Sequence, residues 1–275
     1  MRVKYTYCER YNDKLIQILN EKAIKYSVVG DGLLVNKMIK FSVYDSTETM
    51  REVFKYTKSK PVITNEYAKS ELMDAELLCI EPSENKITIF NPDEAYQLTC
   101  CYKNVFGIEK ACHKKQISLF QIQKVPSSKT GTAFYASDTG RSELFVDKRI
   151  YDLVQGNALK DVDFLPVKKC DGSFTNEFFQ MTTKQFISAQ NVIVGADEKT
   201  IRCPICGQQK IVTDSHYQLR LSRNGCEMSS DLYMTESIFG EGLSYPYYLI
   251  SQRFYQLLLK NKLLKNVKIS PVVFL

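Results

Sequence analysis

The 275-residue sequence has no tryptophan and only two histidines, His113 and His216. Histidine is the side chain used most often as a general base, so few positions remain for that chemistry. Asp214-Ser215-His216 contains the residue types of a catalytic triad, but a triad is assembled from distant segments and not from chain neighbours. The sequence therefore predicts a protein that is not an enzyme.

Long apolar runs are also missing. Met1–Tyr5 leads into polar residues, whereas a secretory signal needs an apolar segment there. Tyr247–Leu264 is the most apolar late stretch, but polar and charged residues interrupt it, and a membrane span needs about 20 apolar residues. Nine cysteines, an odd number with Cys100 and Cys101 adjacent, do not indicate a disulfide framework. We therefore expect a reduced, cytoplasmic protein without a membrane segment.

No block of basic residues is present. The 37 basic residues exceed the 31 acidic ones by a net charge of +6, and the pI is near 8.7. The densest basic cluster, Lys110 with His113-Lys114-Lys115, is short. Nucleic-acid-binding domains usually have a basic face and a pI above about 9. These values argue against a nucleic-acid partner.

The composition is that of a folded protein, with 44% hydrophobic and 25% charged residues. A chain of this length forms one large domain or two small ones. Polar and turn-forming residues concentrate at Pro126–Gly131. We therefore predict an amino-terminal α+β domain at 1–125 and a carboxyl-terminal α+β domain at 126–275. In the first, the patterns predict strands around Val3 and at Tyr26–Val29 and helices over 12–25 and 47–58.

A strand–helix–strand pattern recurs along the chain. Two copies match position by position, with one residue inserted between their halves, and a third is weaker. The copies are Phe145–Leu153 with Leu159–Val167, Leu249–Leu257 with Leu264–Val272, and Val62–Glu66 with Leu78–Pro82. Such repetition indicates that one structural unit is used more than once.

The same chemistry stands at equivalent places in the copies. Asp147, Ser251 and Thr64 follow a short apolar strand and are predicted to cap the next helix. Apolar residues then recur at helical spacing, namely Ile150, Leu153 and Val154 in one copy and Phe254, Leu257 and Leu258 in the other. The predicted fold is α+β, with repeated strand–helix–strand units packed as mixed sheets with helices, plus a zinc-knuckle-like hairpin.

That hairpin is predicted from Cys203-Pro204-Ile205-Cys206-Gly207. Two thiolates two residues apart can bind one metal ion from a tight turn, which is half of a tetrahedral zinc site. Gln208–Val212 looks like a returning strand, whereas a thioredoxin-type motif would open a helix. Candidate further ligands are Cys101, Cys112 and His113. Two interpretations remain: a complete zinc site, or a vestigial knuckle held by hydrogen bonds.

Three segments, taken in order, resemble a bacterial group, the double-CXXCG proteins and related immunity-type proteins of polymorphic-toxin systems. The segments are Cys203–Gly207, the Thr-Glu-x-x-Phe-Gly-x-Gly run at Thr235–Gly242, and Ile-Ser-x-x-Phe-Tyr…Leu-x-x-Val-x-Ile-x-Pro-Val at Ile250–Val272. The group's first knuckle would fall near residues 103–108, where Lys103 and Phe106 occupy the cysteine positions.

The resemblance implies a protein that neutralises a partner toxin by binding it. We therefore predict a non-enzymatic protein-binding module of the immunity type, with a toxin-like protein as its partner. The alternative is a zinc-ribbon nucleic-acid-binding protein, which the knuckle and the net charge of +6 would suit. Its binding would weaken steeply with salt, because phosphate contacts release counterions.

Overall fold

A computed structural model describes residues 1–30, 37–45, 47–82, 86–99, 102–103, 109–110, 113–126, 131–138, 140–195, 198–212, 218–224, 228–240 and 244–275. Within these ranges strands predominate over six α-helices, so the prediction of a mixed α and β protein is confirmed. The chain forms two compact units, an amino-terminal unit at Met1–Glu71 and a carboxyl-terminal unit at Leu72–Thr213 with Gln218–Leu275.

The amino-terminal unit is a four-stranded antiparallel sheet with two helices. Its elements are β1 (Arg2–Arg10), α1 (Asp13–Glu21), β2 (Tyr26–Val29), β3 (Met38–Tyr44), α2 (Thr47–Phe54) and β4 (Val62–Glu66). The strand order across the sheet is β2-β3-β1-β4. This βαββαβ succession is the arrangement of ferredoxin-like domains. Tyr7 and Phe41 stack in its core with Leu15 and Leu19 of α1.

Local signals place the first helix correctly but not its end. Asn12 caps α1 by accepting the backbone N–H of Lys14 at 3.0 Å. The helix stops before the predicted Lys25, because Ala23 adopts a left-handed φ of 53°. The predicted cap Thr64 is wrong: it lies within β4 and pairs with Lys4 of β1, and the next helix, α3 (Lys69–Asp74), starts later.

The carboxyl-terminal unit contains two larger sheets. The first sheet has the order β11 (Gln121–Ile122), β14 (Asp163–Lys169), β15 (Phe174–Thr182), β13 (Gly140–Asp147), β12 (Phe134–Ser137) and β6 (Lys86–Ile87). The second sheet has the order β23 (Val267–Pro271), β5 (Leu77–Pro82), β22 (Tyr248–Ser251), β20 (Leu232–Thr235) and β16 (Phe186–Ile187).

The remaining described elements are short. Two of them are the helix α4 (Pro92–Ala95) and a 3-10 turn at Ala189–Asn191. Two antiparallel pairs are formed by β7 (Tyr96–Thr99) with β10 (His113–Gln116) and by β8 (Tyr102–Lys103) with β9 (Glu109–Lys110). A small sheet contains β17 (Lys199–Arg202), β18 (Gln209–Val212) and β21 (Ile238–Phe239), and β19 (Arg220–Leu221) pairs in parallel with β24 (Val273–Phe274).

The two larger sheets follow the same strand plan over five strands. In each, an edge strand pairs in parallel with the next strand, and three antiparallel pairings follow. The strands β6, β12, β13, β15 and β14 thereby match β16, β20, β22, β5 and β23. The register agrees as well. Equivalent rows across the central strands are Phe145, Gln180 and Leu165 in the first sheet and Leu249, Cys79 and Ser270 in the second.

One helix from each of the two larger sheets packs into a shared hydrophobic core. α5 (Lys148–Gly156) follows β13 and α6 (Gln252–Lys260) follows β22. Ile150 and Val154 of α5 and Phe254 and Leu258 of α6 are buried in a single hydrophobic cluster, as their spacing predicts. Burying side chains of this size stabilises a fold by about 1.5–3 kcal/mol each. The two sheets are therefore packed as one body around both helices.

The helices also begin and end alike. Asp147 accepts the N–H of Arg149 at 3.0 Å and Ser251 accepts that of Phe254 at 3.1 Å, which confirms both predicted caps. Asn157 and Asn261 follow the helices, and each donates its side-chain N–H to the carbonyl four residues earlier.

The structure places the one-residue insertion at a different point from the sequence match. The N–H of Leu159 donates to the carbonyl of Val154, and the N–H of Leu263 donates to that of Leu258. By these bonds Leu159 is matched with Leu263, whereas the sequence match paired it with Leu264. The insertion lies just after these leucines, before the next strand.

The predicted domain boundary at 125/126 falls inside the carboxyl-terminal unit. β5 pairs with β22, and β6 pairs with β12, so strands from both sides of that position share a sheet. Most of the polar segment that suggested the boundary, residues 127–130, lies outside the described residues.

Candidate functional site

The Cys203–Gly207 segment forms the turn of the β17–β18 hairpin. The two strands pair antiparallel up to Arg202 opposite Gln209. The N–H of Gly207 donates to the carbonyl of Cys203 at 3.0 Å, and the N–H of Cys203 donates to the carbonyl of Gln208 at 3.0 Å. Gly207 has a left-handed φ of 71°, a conformation that glycine adopts without steric cost. The motif is therefore placed on a strand–turn–strand, and not at a helix start.

The turn directs a backbone amide at one of its sulfurs. The nitrogen of Gln208 lies 3.4 Å from Sγ of Cys206 and donates a hydrogen bond to it. Cys203 is buried, while Cys206 is exposed. A buried and an exposed thiol on one tight turn can supply two of the four ligands of a tetrahedral metal.

The other predicted ligands cannot be placed against this turn. Cys101 and Cys112 lie outside the described residues, as do Cys100, Cys226 and His216. The backbone of His113 begins β10, opposite Thr99 of β7, but its side chain is outside the described part. Among the residues that the structure describes, no group of three or more His, Cys, Asp or Glu side chains could hold a metal ion.

The position of the resemblance's first knuckle is described only in part. Lys103 lies in β8 and pairs with Glu109 of β9, while Phe106 is outside the described residues. Asp214-Ser215-His216 lies outside them as well.

Strand pairing brings the three segments of the resemblance together. Lys210 of the hairpin lies beside Ile238 in the parallel β18–β21 pair, and β20 pairs with β22, which starts the carboxyl-terminal segment. Phe239 stacks on Tyr247 with their ring centroids 4.2 Å apart. Segments far apart in sequence are thus joined through neighbouring strands, and Ile238, Phe239 and Ile250 at these pairings are buried.

An apolar groove of about 380 Å³ lies in this region. Its described lining residues are Phe186, Gln208, Met234, Thr235, Glu236, Ile238 and Pro246. Phe186 in the lining retains 51% of its accessible surface, and Ile205, in the turn of the hairpin and outside the lining residues, retains 58%. Exposed apolar side chains at a groove mark a surface suited to binding another molecule.

The groove has no signature in the sequence, because its lining comes from separate segments. Phe186 arrives with edge strand β16, which pairs with β20 at Met234. Thr235, Glu236 and Ile238 belong to the Thr235–Gly242 segment, and Gln208 starts the predicted returning strand, but neither segment indicates a groove. A lone phenylalanine after Lys184-Gln185 carries no local signal of exposure.

Three comparisons with known proteins leave the chain without an assigned relative: no protein-family model, no curated protein and no solved structure matches it. In the described part of the chain, no helix has the length and apolar character needed to cross a membrane.

Proposed function

We propose that this chain is a non-enzymatic protein-binding module of the immunity type, which neutralises a cognate bacterial toxin by binding it. The observation that carries the proposal is an apolar groove between the knuckle hairpin, which contributes Gln208, and the segment from Thr235, which contributes Thr235, Glu236 and Ile238. These are two of the three segments on which the resemblance to immunity-type proteins rests.

The groove supplies the kind of contact on which protein–protein affinity depends. Interface affinity is concentrated in a few apolar or aromatic side chains that become fully buried on binding. Phe186 is large and exposed in the groove, where Gln208 and Glu236 provide polar groups, and Ile205 is exposed in the turn of the hairpin. We assign the toxin contact to this groove and the adjacent hairpin tip.

The proposal includes a structural zinc ion at the hairpin. Cys203 and Cys206 would bind it from the turn, and Cys101 with either Cys112 or His113 would complete the four ligands. Elemental analysis of protein purified without added metal should find about one zinc per chain if the site is complete, since four protein ligands close a structural site. Zinc should be lost in Cys206→Ser. A metal-free protein that unfolds like Cys206→Ser would support the vestigial knuckle instead.

The finer description of the fold belongs to the same proposal. We interpret the two larger sheets, with α5 and α6, as two copies of one strand–helix–strand unit, on the basis of their common strand plan and register. A cytoplasmic location is also part of the proposal, and fractionation of the source cells tests it.

Co-expression with the toxin-like product of a neighbouring gene tests the function. The wild-type chain should restore growth, because binding occludes the toxin. Phe186→Ser should abolish protection by removing an apolar anchor. Phe174→Ser is the matched control, since Phe174 is also exposed, at 54%, but lies at the start of β15 and away from the groove lining.

Equal protection by wild type and both variants would remove the groove from the proposal. Absence of any adjacent toxin-like gene, with no protein co-purifying, would contradict the function itself. Oligonucleotide binding that disappears in Cys206→Ser would favour the alternative, a zinc-ribbon nucleic-acid-binding protein.

A further inference from the structure

The sheet of the amino-terminal unit has one face packed on helices and one face that carries polar side chains. Along β1, Tyr5 and Tyr7 point into the core with α1 and α2, so Lys4 and Thr6 point the other way. The hydroxyls of Thr6 and Ser42 lie 2.9 Å apart across β1 and β3, which places both on this second face. We call it the open face; its residues are the even-numbered ones of β1, β3 and β4 with Ser27 and Val29 of β2.

The open face is strongly biased towards positive charge. Its cationic side chains are Arg2, Lys4 and Arg10 of β1 and Lys40 of β3. Among the described strand positions of this face, Glu66 supplies the one carboxylate, and it is 3.0 Å from Lys4. The whole-chain charge of +6 therefore hides a local cluster that a linear reading of the sequence cannot reveal, because alternation spreads it over separate strands.

An exposed aromatic ring lies within this cluster. Tyr44 at the end of β3 retains 41% of its accessible surface. Its ring centroid is 5.8 Å from the guanidinium of Arg2 and 5.9 Å from Nζ of Lys4. Its hydroxyl donates to Glu66 at 2.9 Å, which fixes the ring's orientation. A cation beside an oriented aromatic ring is the pairing that a nucleotide needs, with phosphate on one and base on the other.

A cavity of about 850 Å³ continues the face around the edge of the sheet. It forms where β2 stops pairing at Tyr26 while β3 runs on to Tyr44. Three lysines, three aliphatic hydroxyls and two phenols are among its described lining residues, with no carboxylate in that set: Lys4, Lys25, Lys40, Ser27, Ser42, Thr49, Tyr26 and Tyr44. Its size is in the range of ligand sites, about 300–1,000 Å³.

We propose that the open face and this cavity bind single-stranded nucleic acid, a function beyond the toxin binding assigned to the other unit. The lysines and arginines contact phosphates, and Tyr44 stacks on a base at the mouth of the cavity. A four-stranded sheet presenting an aromatic ring to unpaired bases is an established means of binding RNA. The aromatic ring and the cavity favour this ligand over an acidic peptide, which would need the charges alone.

Fluorescence anisotropy with the full chain and labelled single-stranded oligonucleotides of about 12 nucleotides tests the proposal. This length is close to the site sizes of domains that bind single strands by base stacking. Binding is expected at about 50 mM salt and should weaken steeply at about 200 mM. Lys25→Gln with Lys40→Gln should weaken binding at least about tenfold and lower the log–log salt slope by about 1.4, because each lost phosphate contact contributes about 0.7 for single strands.

Two controls separate charge from geometry. Lys14→Gln with Lys55→Gln removes the same charge from exposed positions on or next to the helices and should leave affinity within about twofold. Tyr44→Ser should weaken binding about tenfold, whereas Tyr44→Phe keeps the ring, loses only the hydroxyl's bond to Glu66, and should lose much less affinity than Tyr44→Ser. Circular dichroism confirms that each variant is folded.

Several results would overturn the proposal. One is the absence of binding at about 50 mM salt, where phosphate contacts are strongest. Another is an equal loss of affinity in the Lys14→Gln, Lys55→Gln control. Tighter binding of duplex than of single strands, or competition by polyglutamate as effective as that by unlabelled oligonucleotide, would also contradict it. Loss of binding in Cys206→Ser alone would move the site to the knuckle.

Discussion

The starts of α5 and α6 are both capped, and both have an arginine paired with a carboxylate, but different residues supply these groups. At α5, Asp147 caps the helix and its carboxylate also pairs with Arg149. At α6, the hydroxyl of Ser251 caps the helix, and a different residue, Asp231 of the adjacent chain segment, lies 3.4 Å from Arg253. Asp231 also accepts the hydroxyl of Ser251 at 2.5 Å.

Backbone hydrogen bonds show that the carboxylate that pairs with the arginine lies on a different chain segment at each of the two helix starts. The N–H of Asp147 donates to the carbonyl of Ala133, and the N–H of Ser251 donates to that of Asp231, so Ala133 and Asp231 are equivalent. One site thus combines Asp with Ala and the other Ser with Asp. The acceptor for the helix amides therefore keeps its position at both helices, whereas the carboxylate that pairs with the arginine does not.

The largest effect is expected from the cores of the two helices. Ile150→Ala and Phe254→Ala each remove a side chain with no exposed surface from the shared cluster. We expect a loss of about 3 kcal/mol for Ile150→Ala and about 4 kcal/mol for Phe254→Ala, since truncation leaves a cavity. Urea unfolding measures both. A loss below about 1 kcal/mol for either would show that the helix is not part of the core.

The second effect concerns the displaced carboxylate. Asp231→Ala removes the acceptor of the Lys160 N–H and of the Ser251 hydroxyl, and one of the two acceptors of the Arg253 guanidinium, so we expect a loss of about 3 kcal/mol. Ser251→Asp combined with Asp231→Ala recreates the α5 arrangement and should lose less than Asp231→Ala alone. The double variant carries one more substitution than Asp231→Ala. A higher stability of the double variant would therefore show that the carboxylate at position 251 restores the pairing with Arg253. Additive losses in a double-mutant cycle would contradict the equivalence of the two sites.

The smallest effect is a pH dependence at the central strands, where Cys79 and Gln180 are equivalent. Burial raises the pKa of the Cys79 thiol from its ordinary 9.0 to about 12. The unfolded thiol therefore ionises before the folded one, so this contribution is intact below pH 9.0 and is lost as pH rises towards about 12. Between about pH 8 and 10, wild type should lose about 1 kcal/mol relative to Cys79→Val.

Gln180→Leu is the matched control for this measurement, because an amide does not titrate. Its difference from wild type should be the same at both pH values. A constant difference for Cys79→Val as well would mean that the thiol is accessible to solvent in the folded protein.

Local signals predicted much of this comparison, while long-range pairing decided the rest. Asp147 and Ser251 stand directly before amphipathic helices, so their caps were predictable. Asp231 approaches from another strand and carries no signal near α6. Thr64 has the same local pattern as the caps, but pairing of β4 with β1 holds it inside a strand. A local pattern fails where a distant strand competes for the same backbone.

The candidate site divides in the same way. The Cys203–Gly207 turn is encoded within five residues, and its hairpin was predicted from them. The groove depends on Phe186, Met234 and Pro246, which approach one another only through the pairing of β16 with β20 and the return of the chain into β22. No spacing within any one segment indicates that contact.

The most direct test of the central claim is a calorimetric titration of the purified chain with the purified product of a neighbouring toxin-like gene. The proposed function predicts saturable one-to-one binding that Phe186→Ser weakens by at least about tenfold and Phe174→Ser leaves unchanged, since loss of an interface anchor costs more than 1 kcal/mol. No heat of binding for the wild-type chain, or equal weakening by both substitutions, would contradict it.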